Sequence, residues 1–197
     1  METSVIILAA GLSERIGFPK AFLKFNKEHT FIEKLIATYK EYGVNDIVLV
    51  LNQQFLEYYA TRNYNFLKEC ITITNNKPEN GRFFSIMLGC NAFQFPTDVF
   101  IQNVDNPFTT QELLHALKNN LENDNEVIIP QFTKNDGHPV LLGNELIEKI
   151  KKFAVTECEQ NFREFILQHN VKKVATDNKN ILINVNTMEI YKAYFGK

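Results

Sequence analysis

VIILAAGLSERIGFPK, residues 5–20, joins an apolar run directly to a loop that carries two glycines and two basic side chains. Val5–Ala9 contains no polar residue, which is typical of a parallel strand that is covered on both faces. In an open α/β sheet, ligands bind in the crevice beyond the carboxyl ends of such strands. The stretch therefore predicts an α/β fold in which the loop after the first strand contacts a ligand.

Apolar runs and segments of helical periodicity alternate along the rest of the chain. Further strands are predicted at Ile47–Leu51, Ile71–Thr74, Val99–Val104, Glu126–Ile129, Val140–Leu142, Val171–Ala175 and Ile181–Val185. Helices are predicted at Thr30–Tyr42 (with Thr30 as N-cap and Gly43 after its end), Gln53–Leu67, Ser85–Phe93, Thr110–Leu121, Leu146–Phe153, Cys158–Gln168 and Met188–Phe195. Such alternation predicts βαβ units. We expect an α/β fold of one domain, residues 1–197, with a Rossmann-like, mostly parallel (mixed) sheet flanked by helices. Residues 131–168 are expected to form a cap or insertion over one end of the sheet.

Composition and charge narrow the class of protein. The chain has 197 residues, of which 45% are hydrophobic, and this length allows a sizeable core. A net charge of −2 argues against nucleic acid or an anionic membrane as partner. The N-terminal apolar run is too short for a signal peptide, and no stretch approaches the roughly 20 apolar residues of a membrane span, so we expect a cytoplasmic protein. Cys70, Cys90 and Cys158 have irregular spacing and are expected to be buried structural thiols.

The loop after the first strand has the chemistry expected of a nucleotide site. Ala9, Ala10 and Gly11 carry little or no side chain, so their backbone can approach a base or a phosphate closely. Arg15 and Lys20 supply the local positive charge that a triphosphate requires. The loop has neither the GxxxxGK[ST] spacing of a Walker loop nor the GxGxxG spacing of a dinucleotide-binding fingerprint.

Five segments together carry a resemblance to a known family. LAAGxSxRxGxPK, residues 8–20, is similar to the signature loop of the MobA-like nucleotidyltransferases, which include molybdenum cofactor cytidylyl- and guanylyltransferases. Gly81–Ile86 resembles the family's G…S[IL] segment, and Val104–Pro107 resembles its DxP strand end. Gly137–Val140 (GHPV) is similar to the cytidylyltransferase branch in particular. Asn184–Thr187 stands where the family commonly has D-I-D-T-P-E-D.

The resemblance implies the fold of the nucleotide-diphospho-sugar transferases and a Mg²⁺-dependent transfer of a nucleoside monophosphate. The acceptor would be a phosphorylated small molecule such as molybdopterin or the molybdenum cofactor, and pyrophosphate would be released. CTP is the favoured donor, because Ala10 stands where guanylyltransferase relatives carry a second glycine. The predicted nucleotide-binding residues are Leu8, Ala9, Ala10, Gly11, Ser13, Arg15, Lys20, Gly81 and Ser85. The predicted acceptor-binding residues are Gly137, His138 and Pro139.

Three residues are predicted to be catalytic. Asp105 follows an apolar strand and is expected to point into the crevice, where it would be the principal Mg²⁺ ligand. Arg15 and Lys20 would hold the β- and γ-phosphates and stabilise the departing pyrophosphate. Asn184 is a candidate second metal ligand. Asn184 and Asn186 replace acids of the family pattern, which predicts weaker metal binding or a divergence from catalysis.

Two other functions are compatible with the sequence. The first is a nucleotidyltransferase for a different phosphorylated acceptor, such as a sugar phosphate or phosphocholine. The second is a non-catalytic nucleotide-binding or chaperone-like protein derived from the same family. Release of pyrophosphate with a given acceptor would distinguish them.

Overall fold

Eight strands form the central sheet in the computed structural model, which describes residues 2–62, 64–153 and 161–196. The strands are β1 (Thr3–Ala9), β2 (Ile47–Leu51), β3 (Ile71–Thr74), β4 (Asp98–Asn103), β5 (Glu126–Phe132), β6 (Asn135–Asp136), β7 (Val140–Leu142) and β8 (Asn170–Ala175). The helices are α1 (Phe31–Tyr42), α2 (Gln53–Ala60), α3 (Gly81–Cys90), α4 (Gln111–Asn119), α5 (Asn144–Lys151), α6 (Phe162–Leu167) and α7 (Met188–Phe195). Short 3-10 turns lie at Lys20–Phe22, Phe66–Glu69, Pro78–Asn80 and Lys179–Leu182. In these described ranges no helix is long and apolar enough to cross a membrane.

β1 lies between two parallel neighbours, β2 and β4. The strand order is β3-β2-β1-β4-β7-β5, and both β6 and β8 pair with β5. β7 is antiparallel to β4 and to β5, whereas β8 is parallel to β5. The sheet is therefore mixed and mostly parallel, which confirms the predicted fold class. Since β1, β2 and β4 are parallel, the loops that follow them meet at one edge of the sheet.

Burial on both faces explains the apolar run Val5–Ala9 within β1. All seven residues of the strand are buried. Val5 and Ile7 pack in one cluster of buried side chains with residues of α1 and α4, and Ile6 and Leu8 pack in a second cluster with residues of α3, α5 and α6. Successive side chains of a strand point to opposite faces of the sheet. Helices on both faces therefore favour an apolar residue at each position of Val5–Ala9.

α1 begins and ends where the sequence predicts. The Thr30 hydroxyl accepts a hydrogen bond from the amide of Glu33, and the Glu33 carboxylate accepts one from the amide of Thr30 at 2.8 Å. This reciprocal capping box satisfies two amide groups of the first turn. Gly43 follows the last turn with a φ of 92°, a left-handed conformation that disfavours residues with a side chain.

The predicted helix Gln53–Leu67 is wrong in its second half. α2 ends at Ala60, and a separate 3-10 turn covers Phe66–Glu69. At the end of α2 the hydroxyl of Thr61 donates to the carbonyl of Tyr58 at 2.9 Å. Local side-chain bonds of this kind offer the backbone an alternative to further helical turns.

The predicted strand Ile181–Val185 is also wrong, because this segment carries a 3-10 turn over Lys179–Leu182. The side-chain amide of Asn106, which is fully buried, lies within hydrogen-bond distance of the carbonyl oxygens of Asn180, Ile181 and Ile183, at 2.9–3.3 Å. These carbonyl groups are the ones that a strand would use for its ladder. A single side chain thus fixes the segment beside the end of β4.

The expected cap at residues 131–168 is only partly a separate feature. β7 belongs to this stretch and lies inside the sheet between β4 and β5, where Val140 is opposite Ile101.

The bounds of two predicted helices differ from those observed. The predicted helix Ser85–Phe93 begins earlier, since α3 starts at Gly81. The predicted helix Cys158–Gln168 corresponds to α6, and its first residues lie outside the described residues.

The two cysteines within the described residues, Cys70 and Cys90, are not activated as nucleophiles. Cys90 is buried and Cys70 is half-buried. Burial raises the pKa of Cys70 to about 11 and also raises the pKa of Cys90, so both are thiols at neutral pH. Cys158 lies outside the described residues.

Candidate active site

The loop after β1 closes on itself around Ser13. The carbonyl of Ser13 accepts hydrogen bonds from the amides of Ile16 and Gly17, both at 3.0 Å. Ser13 and Gly17 adopt left-handed φ angles of 55° and 68°. The Ser13 hydroxyl in turn accepts a hydrogen bond from the amide of Lys20 at 3.4 Å. This tight turn places Arg15 and Lys20 along one open cavity, which Gly11 and Asn186 also line.

Asn52 anchors the start of this loop, and sequence reasoning missed it. Its side-chain nitrogen donates to the carbonyls of Ala10 and Gly11, both at 3.1 Å. Its side-chain oxygen accepts from the amide of Phe55 at 2.8 Å and so caps α2. Only 4% of Asn52 is exposed. The available signal was an asparagine directly after a buried strand and before a helix.

Asn52→Ala is expected to lower the free energy of unfolding by about 1–3 kcal/mol, because the buried carbonyl of Ala10, the partly buried carbonyl of Gly11 and the N-terminus of α2 all lose a partner. We also expect a higher KM for the nucleotide, since the loop loses its anchor. Denaturant unfolding and nucleotide titration would measure the two effects. Gln53→Ala is the control, because the neighbouring Gln53 is exposed and bonds only to Glu57 among the described residues. An unchanged KM in Asn52→Ala would show that Asn52 serves only the helix.

A cleft of about 270 Å³ lies where the carboxyl ends of β1, β2 and β4 meet. Every predicted nucleotide-binding residue lines it except Arg15, which lines the adjoining cavity described above. Asp105 lines the cleft as predicted, and so do several residues that the sequence did not indicate: Pro19, Ala21, Asn52, Phe55, Pro78, Arg82, Asn103 and Val104. Ala10 is only 4% exposed and packs with the buried side chains on the α3 side of the sheet. The methyl group of Ala10 therefore has little exposed surface with which it could favour a small base, such as that of CTP, over a larger one.

Lys20 links the loop to the end of β4. Its ammonium group lies 3.1 Å from the Asp105 carboxylate and 2.5 Å from the side-chain oxygen of Asn186. The side chains of Lys20 and Asp105 are 15% and 19% exposed, so this ion pair is partly shielded from water. The amide of Val185 donates to the carbonyl of Asp105 at 2.8 Å and ties the segment 184–186 to the same place.

Two buried oxygens at this place lack hydrogen-bond partners. Oδ1 of Asp105 and Oδ1 of Asn184 accept no hydrogen bond from the described part of the chain. Buried acceptors without a partner are rare and costly. Mg²⁺ prefers oxygen ligands and usually takes only one or two protein groups, with phosphates and water for the rest. The described residues contain no group of three or more His, Cys, Asp or Glu side chains that would hold a metal without a substrate. The oxygens of Asp105 and Asn184 therefore fit the protein's share of a Mg²⁺ site.

A second cavity, of about 820 Å³, lies between α3, α6 and the strands β5 and β7. Gly137 and His138 line it as predicted for an acceptor pocket, whereas Pro139 is buried and is not part of the lining. A Cβ atom on Gly137 would approach the Ile181 side chain to 2.6 Å, so this close packing requires glycine.

His138 is neutral at physiological pH. Burial and the nearby positive charge of Arg82 lower the pKa of His138 to about 3. Nε2 of His138 lies 3.2 Å from the side-chain nitrogen of Asn103, within hydrogen-bond distance. His138 therefore contributes no charge to the second cavity.

Arg82 is the other functional candidate that sequence reasoning missed. It lies in the first turn of α3 and its guanidinium carbon is 5.2 Å from the ring centroid of Phe162. The residue is exposed, and Asp105 lies near enough to attract its charge. Arg82 therefore remains charged at neutral pH. The only signal in the sequence was a cation in the segment Gly81–Ile86.

Comparisons with known proteins find similar sequences and similar folds. A family profile described as the MobA-like NTP transferase domain matches residues 5–174. A relative from Bacillus cytotoxicus, named probable molybdenum cofactor guanylyltransferase, is 27% identical over 191 residues, which cover 94% of this chain and 92% of the relative. This name does not support the predicted cytidylyltransferase branch.

Solved structures show the same fold. The crystal structure of Rv0371c from Mycobacterium tuberculosis superposes with a TM-score of 0.76 at 16% identity and covers 100% of both chains. A structure described as the complex of Rv0371c with manganese has a TM-score of 0.74 at 15% identity, again over 100% of both chains. At these identities the likeness shows the fold alone.

Proposed function

Because the chain belongs to the MobA-like NTP transferase family and is thus a nucleotidyltransferase, we propose that it transfers GMP from GTP to the molybdenum cofactor. The observation that carries this proposal is the meeting of Lys20, Asp105 and Asn184–Asn186 at the edge of the nucleotide cleft. The name of the Bacillus cytotoxicus relative supports both GTP as donor and the molybdenum cofactor as acceptor. CTP is the alternative donor. Its support is the prediction from Ala10, which the burial of the Ala10 methyl group weakens.

The chemistry needs no protein base. An oxygen of the acceptor's ionised phosphate attacks the α-phosphorus of the nucleotide and forms a new P–O bond. The bond between the α-phosphorus and the bridging oxygen breaks, and its electron pair leaves with pyrophosphate. Catalysis then depends on position and on neutralisation of charge. Arg15 and Lys20, which share one cavity wall, are suited to hold the β- and γ-phosphates.

Asp105 and Asn184 would hold Mg²⁺, since both present a buried oxygen without a partner in the described part of the chain. When bound, the ion would neutralise phosphate charge. The manganese complex of Rv0371c is consistent with use of a divalent ion in this fold. With the metal and the nucleotide in place, the ammonium of Lys20 would exchange its contact with Asp105 for a phosphate.

Thermal stability with GTP, CTP, ATP and UTP, each with and without Mg²⁺, tests the donor. We expect a metal-dependent rise with GTP, since a ligand at a hundred times its Kd adds about 2.7 kcal/mol of stability. A rise with CTP alone would reject GTP and restore the prediction from Ala10. No rise with any nucleotide would contradict the nucleotide site itself.

Pyrophosphate release tests the acceptor. We expect release with the molybdenum cofactor and none with phosphocholine or a sugar phosphate. Release with one of the latter would replace the proposed acceptor. Nucleotide binding without release with any acceptor would favour the non-catalytic alternative that the two asparagines suggested.

A further inference from the structure

The nucleotide cleft and the second cavity share one short wall. Among the described residues that line the two spaces, only Gly81 and Arg82 line both. Gly81 has no side chain, so the guanidinium of Arg82 is the charged group at the boundary. Any ligand group that reaches from one space toward the other passes this cation.

Arg82 is held at this boundary from several sides. The guanidinium carbon lies 5.2 Å from the ring centroid of Phe162, within the range of a cation–π contact. Asp105 attracts it from the nucleotide cleft, and the neutral His138 lies on the side of the second cavity. Arg82 forms no ion pair within residues 2–62, 64–153 and 161–196.

The second cavity has a charge balance that suits an anion. Its basic residues are Arg82, Lys134 and Arg163, and its acidic residues are Glu79 and Asp136. Asp136 is already engaged, because its carboxylate pairs with Lys173 at 3.0 Å and accepts from Gln131 at 2.9 Å. Lys134 and Arg163 line the second cavity alone, so they are not shared with the nucleotide cleft.

We propose that Arg82 binds the phosphate of the acceptor at the boundary and so presents its oxygen to the α-phosphorus of the nucleotide. The inference rests on the proposed function, because it takes the second cavity as the acceptor's place. An arginine suits this role, since its planar fork can bind two oxygens of one phosphate and leave the third free to react. A lysine would keep the charge but lose the fork.

Steady-state kinetics with GTP and the molybdenum cofactor give the first test. We expect Arg82→Lys to lower kcat/KM for the acceptor about tenfold and Arg82→Ala about a hundredfold, while the KM for GTP stays within about twofold. Arg163→Ala is the matched control, because it removes an equal charge from the second cavity only, and we expect a smaller effect. A rise in the KM for GTP would assign Arg82 to the donor and overturn the inference. An equal effect of Arg163→Ala would overturn it as well.

Binding of inorganic phosphate gives a test that does not depend on the identity of donor or acceptor. The variant Arg15→Ala/Lys20→Ala removes the loop cations, so phosphate bound to it must lie elsewhere. We expect ³¹P line broadening of inorganic phosphate by this variant, loss of broadening when Arg82→Ala is added, and retention when Arg163→Ala is added. Thermal unfolding of each variant would verify that it folds.

Together, the kinetic test and the phosphate-binding test distinguish failure of the proposed function from failure of the role assigned to Arg82. Arg82-dependent broadening without turnover of the molybdenum cofactor would reject the proposed acceptor and support the role of Arg82 in phosphate binding. Turnover that Arg82→Ala leaves unchanged would support the proposed function and overturn the role of Arg82.

Discussion

Lys20→Ala is expected to lower kcat at least about a hundredfold, which corresponds to about 2.7 kcal/mol of transition-state stabilisation. The ammonium of Lys20 contacts Asp105 and Asn186 beside the cleft. In the proposed reaction, negative charge would grow there on the departing pyrophosphate. Its side chain is only 15% exposed, so water or a buffer cation is a poor replacement. Initial rates of pyrophosphate release at saturating GTP and acceptor would measure the loss.

Lys24→Ala is the matched control for this substitution. Lys24 follows in the same segment and is exposed, and it lines none of the cavities described above. Lys24→Ala therefore changes the net charge equally while leaving the cleft intact, and we expect its kcat to match that of the parent. A kcat of Lys20→Ala near that of the parent would reject the assignment of Lys20.

The parts of the fold that the sequence predicted well are those with a local pattern. β1 needed only its own apolar run, and α1 needed only Thr30, Glu33 and Gly43, all of which act on their own helix. The Ile181–Val185 segment shows the limit of such patterns. Its apolar residues resemble a strand, but the side chain of Asn106, far away in the sequence, takes its carbonyl groups. No local pattern carries that information.

The residues of the candidate site also fall into two groups: those that the sequence could predict and those that depend on packing between distant elements. The position of the loop residues and of Asp105 at the cleft was predictable, because each follows a parallel strand and the ends of such strands share one edge. Asn52 follows β2 and shares that edge, but its role depends on which way its side chain turns toward Ala10 and Gly11. Arg82 depends on how α3 and α6 pack, since Phe162 and the second cavity fix its place. Both roles are properties of packing between elements.

Asp105→Asn is expected to lower kcat/KM at least about a thousandfold at low Mg²⁺ concentration, or about 4 kcal/mol. The substitution keeps the shape of the side chain and an oxygen for Lys20, but it removes the charge that attracts a divalent ion. We therefore expect the Mg²⁺ concentration for half-maximal rate to rise. Initial rates over a series of Mg²⁺ concentrations would measure this.

Asp98→Asn provides the control at the other end of β4. Asp98 is 2% exposed, and its carboxylate accepts from the amide of Asn144 at 3.0 Å and pairs with Lys118. Asp98→Asn should lower the stability of the fold while leaving the Mg²⁺ requirement unchanged. If both variants shift that requirement equally, the effect comes from general damage and Asp105 is not the ligand.

Asn184 and Asn186 have different surroundings, so a charge added at Asn184 should change the Mg²⁺ requirement, whereas a charge added at Asn186 should change the rate. Oδ1 of Asn184 is buried without a partner in the described ranges, and Asn184→Asp would place a carboxylate there, so that less Mg²⁺ is needed if Asn184 is the second ligand. Oδ1 of Asn186 already accepts from Lys20 at 2.5 Å. Asn186→Asp would strengthen that contact and hold the ammonium away from the triphosphate, which lowers the rate. A lower Mg²⁺ requirement in Asn186→Asp but not in Asn184→Asp would show that Asn186, and not Asn184, is the second metal ligand.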